Sequence, residues 1–357
     1  MKYLYALLVF VPLAGVAELA GWSPSLILIS SALGMIPLAG LLGEATEELA
    51  VATGPRLGGF LNATLGNAAE LIITIVALSA GKVTLVQASI TGSILGNLLL
   101  ILGFSMLLGG FKNGLLKFDR TLAGVSSTMM ILAVIGLIVP TVFQAFHGPE
   151  HLAEDLENMS LGVAGVLLLL YILSVVFTFT ANFSGREASA AVTGDEIAHH
   201  QARWSMQVVI GLLAVSTVAI VFLSEFLVGA VEPVVHEWGI SEFFIGIILI
   251  PIVGNVAEHL VGVQMAMKNK MDLSLSISLG SSMQIALFVA PLLVFVSLFV
   301  GPEPMNLYFN TFEVVALGLA VLIAALISLD GESHWLEGAQ LLAVYTILGI
   351  AFLYLPA

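Results

Sequence analysis

Long apolar segments recur along the whole chain, and short polar stretches separate them. A transmembrane helix needs about 20 predominantly apolar residues. By this measure the pattern predicts about eleven spans, with most of the Lys, Arg, Asp and Glu residues between them. The predicted spans cover residues 3–20, 25–42, 58–80, 83–108, 121–143, 160–182, 206–230, 243–266, 272–300, 307–328 and 336–355. The pattern therefore predicts an all-α polytopic membrane protein.

The composition agrees with this interpretation, because 59% of the residues are hydrophobic and only 10% are charged. A soluble core could not cover so much apolar surface. The first span could instead be a cleaved signal peptide, although Lys2 is the only basic residue before it and another span follows at once. The chain has no cysteine, which excludes disulfides and thiolate metal sites.

The basic residues predict how the chain is oriented. With eleven spans, Lys82 lies alone on one side of the membrane, and all other basic residues share the side of the N-terminus: Lys2, Arg56, Lys112, Lys117, Arg120, Arg186, Arg203, Lys268 and Lys270. The positive-inside rule then places the N-terminus in the cytoplasm and the C-terminus outside. We expect the protein to lie in the plasma membrane of a prokaryote.

Acidic residues are predicted in the outer loops, namely Glu150, Glu154, Asp155 and Glu157 in one loop and Glu232, Glu237 and Glu242 in another. Such charges could concentrate cations at that face. They could equally be solvated loop charges without a further role.

A repeated pentapeptide is the most informative feature. Gly66-Asn67-Ala68-Ala69-Glu70 returns as Gly254-Asn255-Val256-Ala257-Glu258. Glu258 follows Glu70 at a spacing that we name the repeat offset. The same spacing separates Gly92-Ser93 from Gly280-Ser281 and Glu44 from Glu232. This register predicts an extra N-terminal helix in residues 1–22, a first five-helix repeat in 23–183, a cytoplasmic linker in 184–205 and a second repeat in 206–357. Because five is odd, the repeats insert with opposite topology, which is typical of secondary transporters with a binding site near the midplane.

Glu70 and Glu258 are the only acidic residues that lie well inside the predicted spans, with apolar helix on both sides. A charged side chain at a helix centre costs about 2.5–3.5 kcal/mol on insertion scales and is a functional hypothesis by default. The alternative is a neutral glutamic acid that hydrogen-bonds between helices. Its recurrence at a related position favours function.

Oxygen-bearing side chains surround these glutamates. Asn67 and Glu70, like Asn255 and Glu258, are three residues apart and share one helical face. Ca²⁺ prefers about 6–8 oxygen ligands, from carboxylates, amides and carbonyls. The predicted metal ligands are Glu70, Glu258, Asn67, Asn255, Asn62, Ser93, Asn97, Ser281 and Gln284.

Small and helix-weakening residues accompany the motifs. Gly66, Gly254 and Pro251 could free backbone carbonyls before each glutamate. Gly92 and Gly96 form a Gly-xxx-Gly face for close helix packing. His259 points about 100° away from Glu258 around the helix, so a supporting or proton-relay role is favoured over direct ligation.

Enzymatic motifs are missing from the sequence. It contains no His-Glu-xx-His zinc motif, no Gly-x-Ser-x-Gly elbow, no Walker loop and no dinucleotide fingerprint. We therefore expect a protein that is not an enzyme and has no cofactor.

The residues from Gly58 to Ile72 resemble the first conserved motif of the cation/proton exchanger (CAX) family, and those from Gly254 to His259 resemble the second. Three further stretches are similar to the same family, so the resemblance covers essentially the whole chain: Lys268 to Asp272, Gly280 to Gln284 and Trp335 to Ala339. One small departure is Val256, where alanine is usual.

This resemblance implies a Ca²⁺/H⁺ antiporter of the cation/Ca²⁺ exchanger superfamily, in which Glu70 and Glu258 bind the cation and protons in turn. It also implies one extra helix plus two inverted five-helix repeats. The Na⁺/Ca²⁺ branch carries a Gly-Thr-Ser-xx-Glu type of motif where this chain has Gly66 to Glu70, which argues against Na⁺ as the driving ion.

Competition between proton and metal supplies the expected mechanism. Burial disfavours the charged form of a carboxylate, whereas a bound divalent cation favours it. We expect the third and eighth helices to move so that the glutamates face alternate sides. A proton-coupled exchanger of Mn²⁺ or Mg²⁺ stays an alternative, because oxygen ligands separate these ions poorly. A cation channel is a second alternative.

The expected partners are Ca²⁺, protons and the lipid bilayer, without nucleic acid. A single chain with two inverted halves could function as a monomer, and the oligomeric state stays open.

Overall fold

A computed structural model describes residues 4–54, 58, 61–62, 64–146, 152–180 and 203–355, and these are almost entirely helical. The first six helices are α1 (Leu4–Leu19), α2 (Pro24–Thr53), α3 (Ala68–Ser79), α4 (Val83–Asn113), α5 (Arg120–Phe146) and α6 (Leu152–Thr180). The next five are α7 (Met206–Trp238), α8 (the bent pair Glu242–Val256 and Glu258–Met267), α9 (Met271–Val296), α10 (Thr311–Ile327) and α11 (Trp335–Leu353). Two short strands, β1 (Leu116–Lys117) and β2 (Glu332–Ser333), pair antiparallel.

Within the described residues, seven helices are long and apolar enough to cross a membrane, namely α2, α4, α5, α6, α7, α9 and α11. Helix α8 would be an eighth span with a 66° bend, and α1, α3 and α10 are shorter apolar helices. Helices suit this environment because they satisfy their own backbone hydrogen bonds without water. The predicted all-helical architecture is confirmed, while the number of membrane crossings stays a prediction.

The charged ends of several helices correct the predicted loops. Helices α2 and α7 extend well past the predicted spans 25–42 and 206–230. As a result Glu232 and Glu237 lie on α7, and Glu242 begins α8. Likewise Glu154, Asp155 and Glu157 lie on α6, while Glu150 is outside the described residues. The apolar pattern marks only the hydrocarbon-facing part of a helix, which continues where charged side chains can be solvated. Most of the predicted linker 184–205 is also outside the described residues.

Helices α4, α2 and α9 form the centre of the protein. In the most apolar segment of each helix, 72% of the residues are buried in α4 and 61% in α2 and α9. The corresponding shares are only 17% in α11 and 22% in α7. Large hydrophobic side chains such as Phe222 and Ile347 are exposed on the outer helices, as expected for lipid-facing positions. Helices α4 and α9 carry four of the predicted ligands, namely Ser93, Asn97, Ser281 and Gln284.

Helices α4 and α9 run in opposite directions. The side chain of Asn113, at the end of α4, donates to the carbonyls of Ala266 and Met267 beside the turn that begins α9. At the other end of both helices, Gly301 follows α9 and lies against the carbonyl of Leu78, just before α4 begins. These ends define two faces of the protein, which we name the Lys82 face and the Lys270 face.

Three helices contain a π-helical turn, at Gly96–Ile101 in α4, Ile245–Leu249 in α8 and Ile285–Val289 in α9. The turns of α4 and α9 fall at positions that the repeat offset relates. Such turns often mark functional sites, because the extra residue redirects the side chains that follow. Apolar periodicity does not reveal them.

Candidate cation site

Both motifs lie where a helix is interrupted. Gly66 and Asn67 form a turn immediately before α3, and Glu70 is in the first turn of that helix. Helix α8 bends between Val256 and Glu258. The sequence predicted such weakening from Gly66, Gly254 and Pro251. A helix start is a favourable place for a negative charge, since the free N–H groups carry partial positive charge.

The carboxylate of Glu70 crosses from the first half to the second. Glu70 is only 5% exposed. Its side chain lies so close to Gly254 that a Cβ atom built there would be 2.9 Å from Oε1. Glu70 and Glu258 are also close enough to interact electrostatically. We name the buried region around these two repeat-related glutamates the centre.

Two reciprocal hydrogen bonds join the halves around this centre. Ser281 Oγ donates to Asn67 Oδ1 at 3.0 Å. Asn255 Nδ2 donates to Ser93 Oγ at 3.3 Å. The repeat offset converts one residue pair into the other, so the same side chains meet twice with the halves exchanged. This is the pattern that an approximate two-fold axis through the site produces.

The centre is not fully symmetric. Asn67 Nδ2 donates to Gln284 Oε1 at 2.7 Å, and Asn97 Nδ2 donates to Ser281 Oγ at 2.9 Å. Gly96 and Ile285 stand at the positions related to Gln284 and Asn97, so these bonds have no counterparts. Asn67 and Asn97 thus each make a bond that the repeat-related position cannot make.

Three oxygen atoms at the centre are buried without a hydrogen-bond partner among the described residues: Asn97 Oδ1, Asn255 Oδ1 and Glu258 Oε2. The amide nitrogens of both asparagines are already used as donors. An unsatisfied buried acceptor costs about 1–3 kcal/mol, and such atoms are rare in folded proteins. Cation binding would give such atoms a partner, and oxygen atoms are the ligands that Ca²⁺ prefers.

Hydrogen bonds join five of the predicted ligands, namely Asn67, Gln284, Ser281, Asn97 and Glu258, and a separate bond joins Asn255 to Ser93. Glu70 lies against Gly254 and within electrostatic range of Glu258. Asn62 contributes differently, because its backbone carbonyl accepts from the N–H of Gly66 at 2.9 Å. The described residues contain no group of three or more His, Asp or Glu side chains that could hold a metal. Amide and hydroxyl oxygens therefore complete the set, and their role as ligands stays a prediction.

The predicted supporting role of His259 also stays a prediction. Its Nε2 atom is buried and has no hydrogen-bond partner within the described part of the chain. The glycine pair of α4 behaves unequally: a Cβ atom on Gly92 would collide with the backbone of Ile247, whereas Gly96 has open space. Only Gly92 therefore requires its small size for helix contact.

One buried acid was missed by the sequence analysis. Glu313, in the first turn of α10, is 2% exposed, and its Oε2 accepts from the N–H of Asn310 at 2.8 Å. Asn310 Oδ1 in turn accepts from the N–H of Phe312. The Asn-xx-Glu spacing is a capping-box signature that the sequence already contained. Glu70 and Glu258 are thus not the only buried acids within helices, and Glu313 caps its own helix.

Comparison with known proteins matches the two halves of the chain separately. A profile of the family described as sodium/calcium exchanger protein matches residues 23–180 and again residues 208–354. The chain belongs to the sodium/calcium exchanger protein family. The motif-based resemblance to cation/proton exchangers is confirmed within this family.

Relatives cover essentially the full chain of this exchanger. A Ca(2+)/H(+) antiporter of Aphanothece halophytica is 43% identical over 99% of this chain and 96% of its own. The Ca(2+)/H(+) antiporter ChaA of Bacillus subtilis (strain 168) is 41% identical over 97% of each chain. The solved structure of native YfkE has a TM-score of 0.84 and 39% identity, and the match covers 99% of this chain and all of that one. The polytopic exchanger fold is therefore established.

Proposed function

We propose that this integral membrane protein is a secondary active Ca²⁺/H⁺ antiporter. The observation that carries the proposal is the buried centre, where Glu70 and Glu258 interact electrostatically and three oxygen atoms, one of them Glu258 Oε2, have no hydrogen-bond partner among the described residues. Two relatives at 43% and 41% identity are named Ca(2+)/H(+) antiporters, which supports the same ion pair. An antiporter needs neither an enzymatic group nor a cofactor, and Ca²⁺ and H⁺ are its transported substrates.

Glu70 and Glu258 are the principal ligands in this proposal. Asn97 Oδ1 and Asn255 Oδ1 are already free of hydrogen bonds and can coordinate without breaking a contact. Asn67 is bonded to Ser281 and Gln284 across the halves, and Ser93 is bonded to Asn255, so these side chains orient the centre and can add oxygens after a small rearrangement. The backbone carbonyl of Asn62 lies at the start of the first motif.

Exchange follows from competition for the same oxygens. Two carboxylates without a counter-charge in a buried centre repel each other and lack hydration. Either a divalent cation or protons relieve this cost, so a loaded centre can change its access while an empty, charged one is held back. Each crossing then carries Ca²⁺ in one direction or protons in the other.

The proposed organisation is an extra N-terminal helix (1–22) and two inverted repeats (23–183 and 206–357) joined by a cytoplasmic linker (184–205). The two separate matches of the family profile, the opposite directions of α4 and α9 and the reciprocal hydrogen bonds support it. We place the Lys82 face outside and the Lys270 face in the cytoplasm, because nearly all basic residues lie on the latter side. The bacterial relative supports a prokaryotic plasma membrane.

The test is Ca²⁺ flux in proteoliposomes with an imposed pH gradient. We expect a proton gradient to drive Ca²⁺ transport in the opposite direction, and an ionophore that collapses the gradient to stop it. A Na⁺ gradient of the same size should not drive transport. Competition with Mn²⁺ and Mg²⁺ measures the preference of the site. Ca²⁺ flux that ignores the pH gradient, or that a Na⁺ gradient drives equally well, would contradict the proposal.

A further inference from the structure

Two turns on opposite faces of the protein have the same geometry. The turn between α3 and α4 ends at Lys82, and the turn between α8 and α9 ends at Lys270, the position that the repeat offset relates to Lys82. Gly81 and Asn269, the residues before the two lysines, both have a left-handed backbone with φ of 73° and 62°. The matching backbone bonds are Gly81 N–H to Leu78 O at 2.9 Å and Lys82 N–H to Ala77 O at 2.9 Å, then Asn269 N–H to Ala266 O at 3.0 Å and Lys270 N–H to Met265 O at 2.9 Å.

Lys82 ties the two halves together on its face. Its Nζ atom lies 3.1 Å from Glu232 Oε2 on α7 and 3.3 Å from Glu242 Oε2 at the start of α8. Partial burial alone would lower the pKa of Lys82, but hydrogen bonds and charge attraction from both carboxylates outweigh this effect and raise it. Helix α4 of the first half is thus fastened to α7 and α8 of the second.

The repeat offset supplies a matching pair on the other face. Glu44 on α2 is related to Glu232, just as Lys270 is related to Lys82. In this structure Glu44 Oε2 accepts from Tyr5 on α1 at 2.9 Å. Helix α8, which ends just before Lys270, packs against α2, the helix that bears Glu44, so a shift of α8 along α2 would change the distance between Lys270 and Glu44.

We propose that Lys82–Glu232 and Lys270–Glu44 are a pair of alternating gates, each closed in one of the two access states of the transporter. This inference rests on the proposed antiport function. The present structure has the gate on the Lys82 face closed. When α7 and α8 move away from α4, the Lys82 bridge opens and Lys270 replaces Tyr5 as the partner of Glu44.

The two gates are unequal. Lys82 has a second carboxylate in Glu242, whereas Gly54 stands at the position related to Glu242. Tyr5, which competes with Lys270 for Glu44, belongs to the helix that precedes the repeats. Both differences favour the state with the Lys82 face closed.

The absence of cysteine from the chain makes disulfide trapping a direct test. One variant carries Lys82→Cys with Glu232→Cys, a second carries Glu44→Cys with Lys270→Cys, and a third combines all four substitutions. The control carries Lys117→Cys with Glu332→Cys, at two paired residues whose side chains form an exposed bridge of 3.3 Å. Because the two gate pairs lie on opposite faces, they cannot cross-link with each other.

We expect both gate pairs to cross-link on oxidation, each link to stop Ca²⁺ exchange, and reductant to restore it. The control link should leave exchange unchanged. In the four-cysteine variant, mass spectrometry should find molecules with one link or the other. A substantial population with both links at once, or a 44–270 link that never forms at any Ca²⁺ concentration or pH, would overturn the proposal.

A second measurement tests the balance between the gates. Lys82→Gln, added to the Glu44→Cys and Lys270→Cys pair, should raise the initial rate of 44–270 cross-linking by about two- to fivefold, the effect of losing a partly exposed ion pair. An unchanged or slower rate contradicts reciprocal gating. Cross-linking can be measured without transport, so it tests the gates separately from the antiport function. If the wild-type protein shows no Ca²⁺ flux, the antiport function is rejected, while the cross-linking result still stands.

Discussion

Replacing Gly254 by alanine probes the contact between the two halves most sharply. The added Cβ atom would lie 2.9 Å from Glu70 Oε1 and 3.2 Å from its Cδ and Cγ atoms. Ordinary contacts are wider, so the Glu70 carboxylate must retreat by about 0.5 Å. The neighbour that yields is the flexible end of a side chain, and we therefore expect a folded protein with a displaced ligand.

The expected loss can be worked out from this clash. Overpacking by one methyl group costs about 1–3 kcal/mol in well-packed sites. If about 1–2 kcal/mol of this cost weakens Ca²⁺ binding through the displaced Glu70 carboxylate, the Ca²⁺ concentration for half-maximal exchange rises by about 5- to 30-fold.

The assay compares half-saturating Ca²⁺ in proteoliposomes for wild type, Gly254→Ala and the matched control Gly318→Ala. A Cβ atom on Gly318 would meet its nearest neighbour, Ile138, only at 3.9 Å, so the control should behave as wild type. Thermal unfolding and size-exclusion profiles establish that each variant is folded. A folded Gly254→Ala protein with unchanged half-saturation would refute the role of Glu70 as a ligand held against Gly254.

Three further predictions concern packing and polar contacts. Ser281→Ala should lower both the unfolding free energy and the Ca²⁺ affinity more than Ser93→Ala does, with a loss of about 1–3 kcal/mol in unfolding free energy. The reason is that Ser281 makes two side-chain hydrogen bonds, whereas Ser93 accepts a single long one. Equal losses in thermal unfolding would contradict this prediction. Gly92→Ala should greatly reduce the yield of folded protein, whereas Gly96→Ala should not, because of these two glycines only Gly92 lies against the backbone of Ile247. Fluorescence-detected size exclusion measures the yield of both variants. Lys82→Gln should lower stability slightly, by about 0.2–1 kcal/mol. Because the pKa of Lys82 is raised in the folded state, this difference should persist through neutral and mildly alkaline pH and vanish only as pH rises through the raised pKa; a pH series of melting temperatures that shows no such difference would contradict the bridge.

Two strong signals in the sequence predicted the helices and drew attention to the two glutamates. Apolar length identified each helix of the described residues, and an ionisable residue inside an apolar helix is costly enough to suggest a function. The repeat offset then linked Asn67 to Asn255 and Ser93 to Ser281, and the structure joins these residues across the halves.

The remaining features depend on information that a one-dimensional pattern does not hold. The lengths of α2 and α7 were underestimated, since their charged ends resemble loops by composition. Apolar periodicity does not distinguish the π-helical turn that carries Asn97 from an ordinary α-helical turn. Glu313 is the exception, because the capping box that it forms with Asn310 is visible in the sequence.

The most direct test of the account is Ca²⁺ exchange by Glu70→Gln and Glu258→Gln in proteoliposomes under an imposed pH gradient. Glutamine keeps the size of glutamate but can neither release a proton nor offer a carboxylate. We predict that each substitution alone abolishes proton-driven Ca²⁺ transport in a protein that remains folded. Undiminished exchange in either variant would contradict the claim that Glu70 and Glu258 together form the site where Ca²⁺ and protons compete.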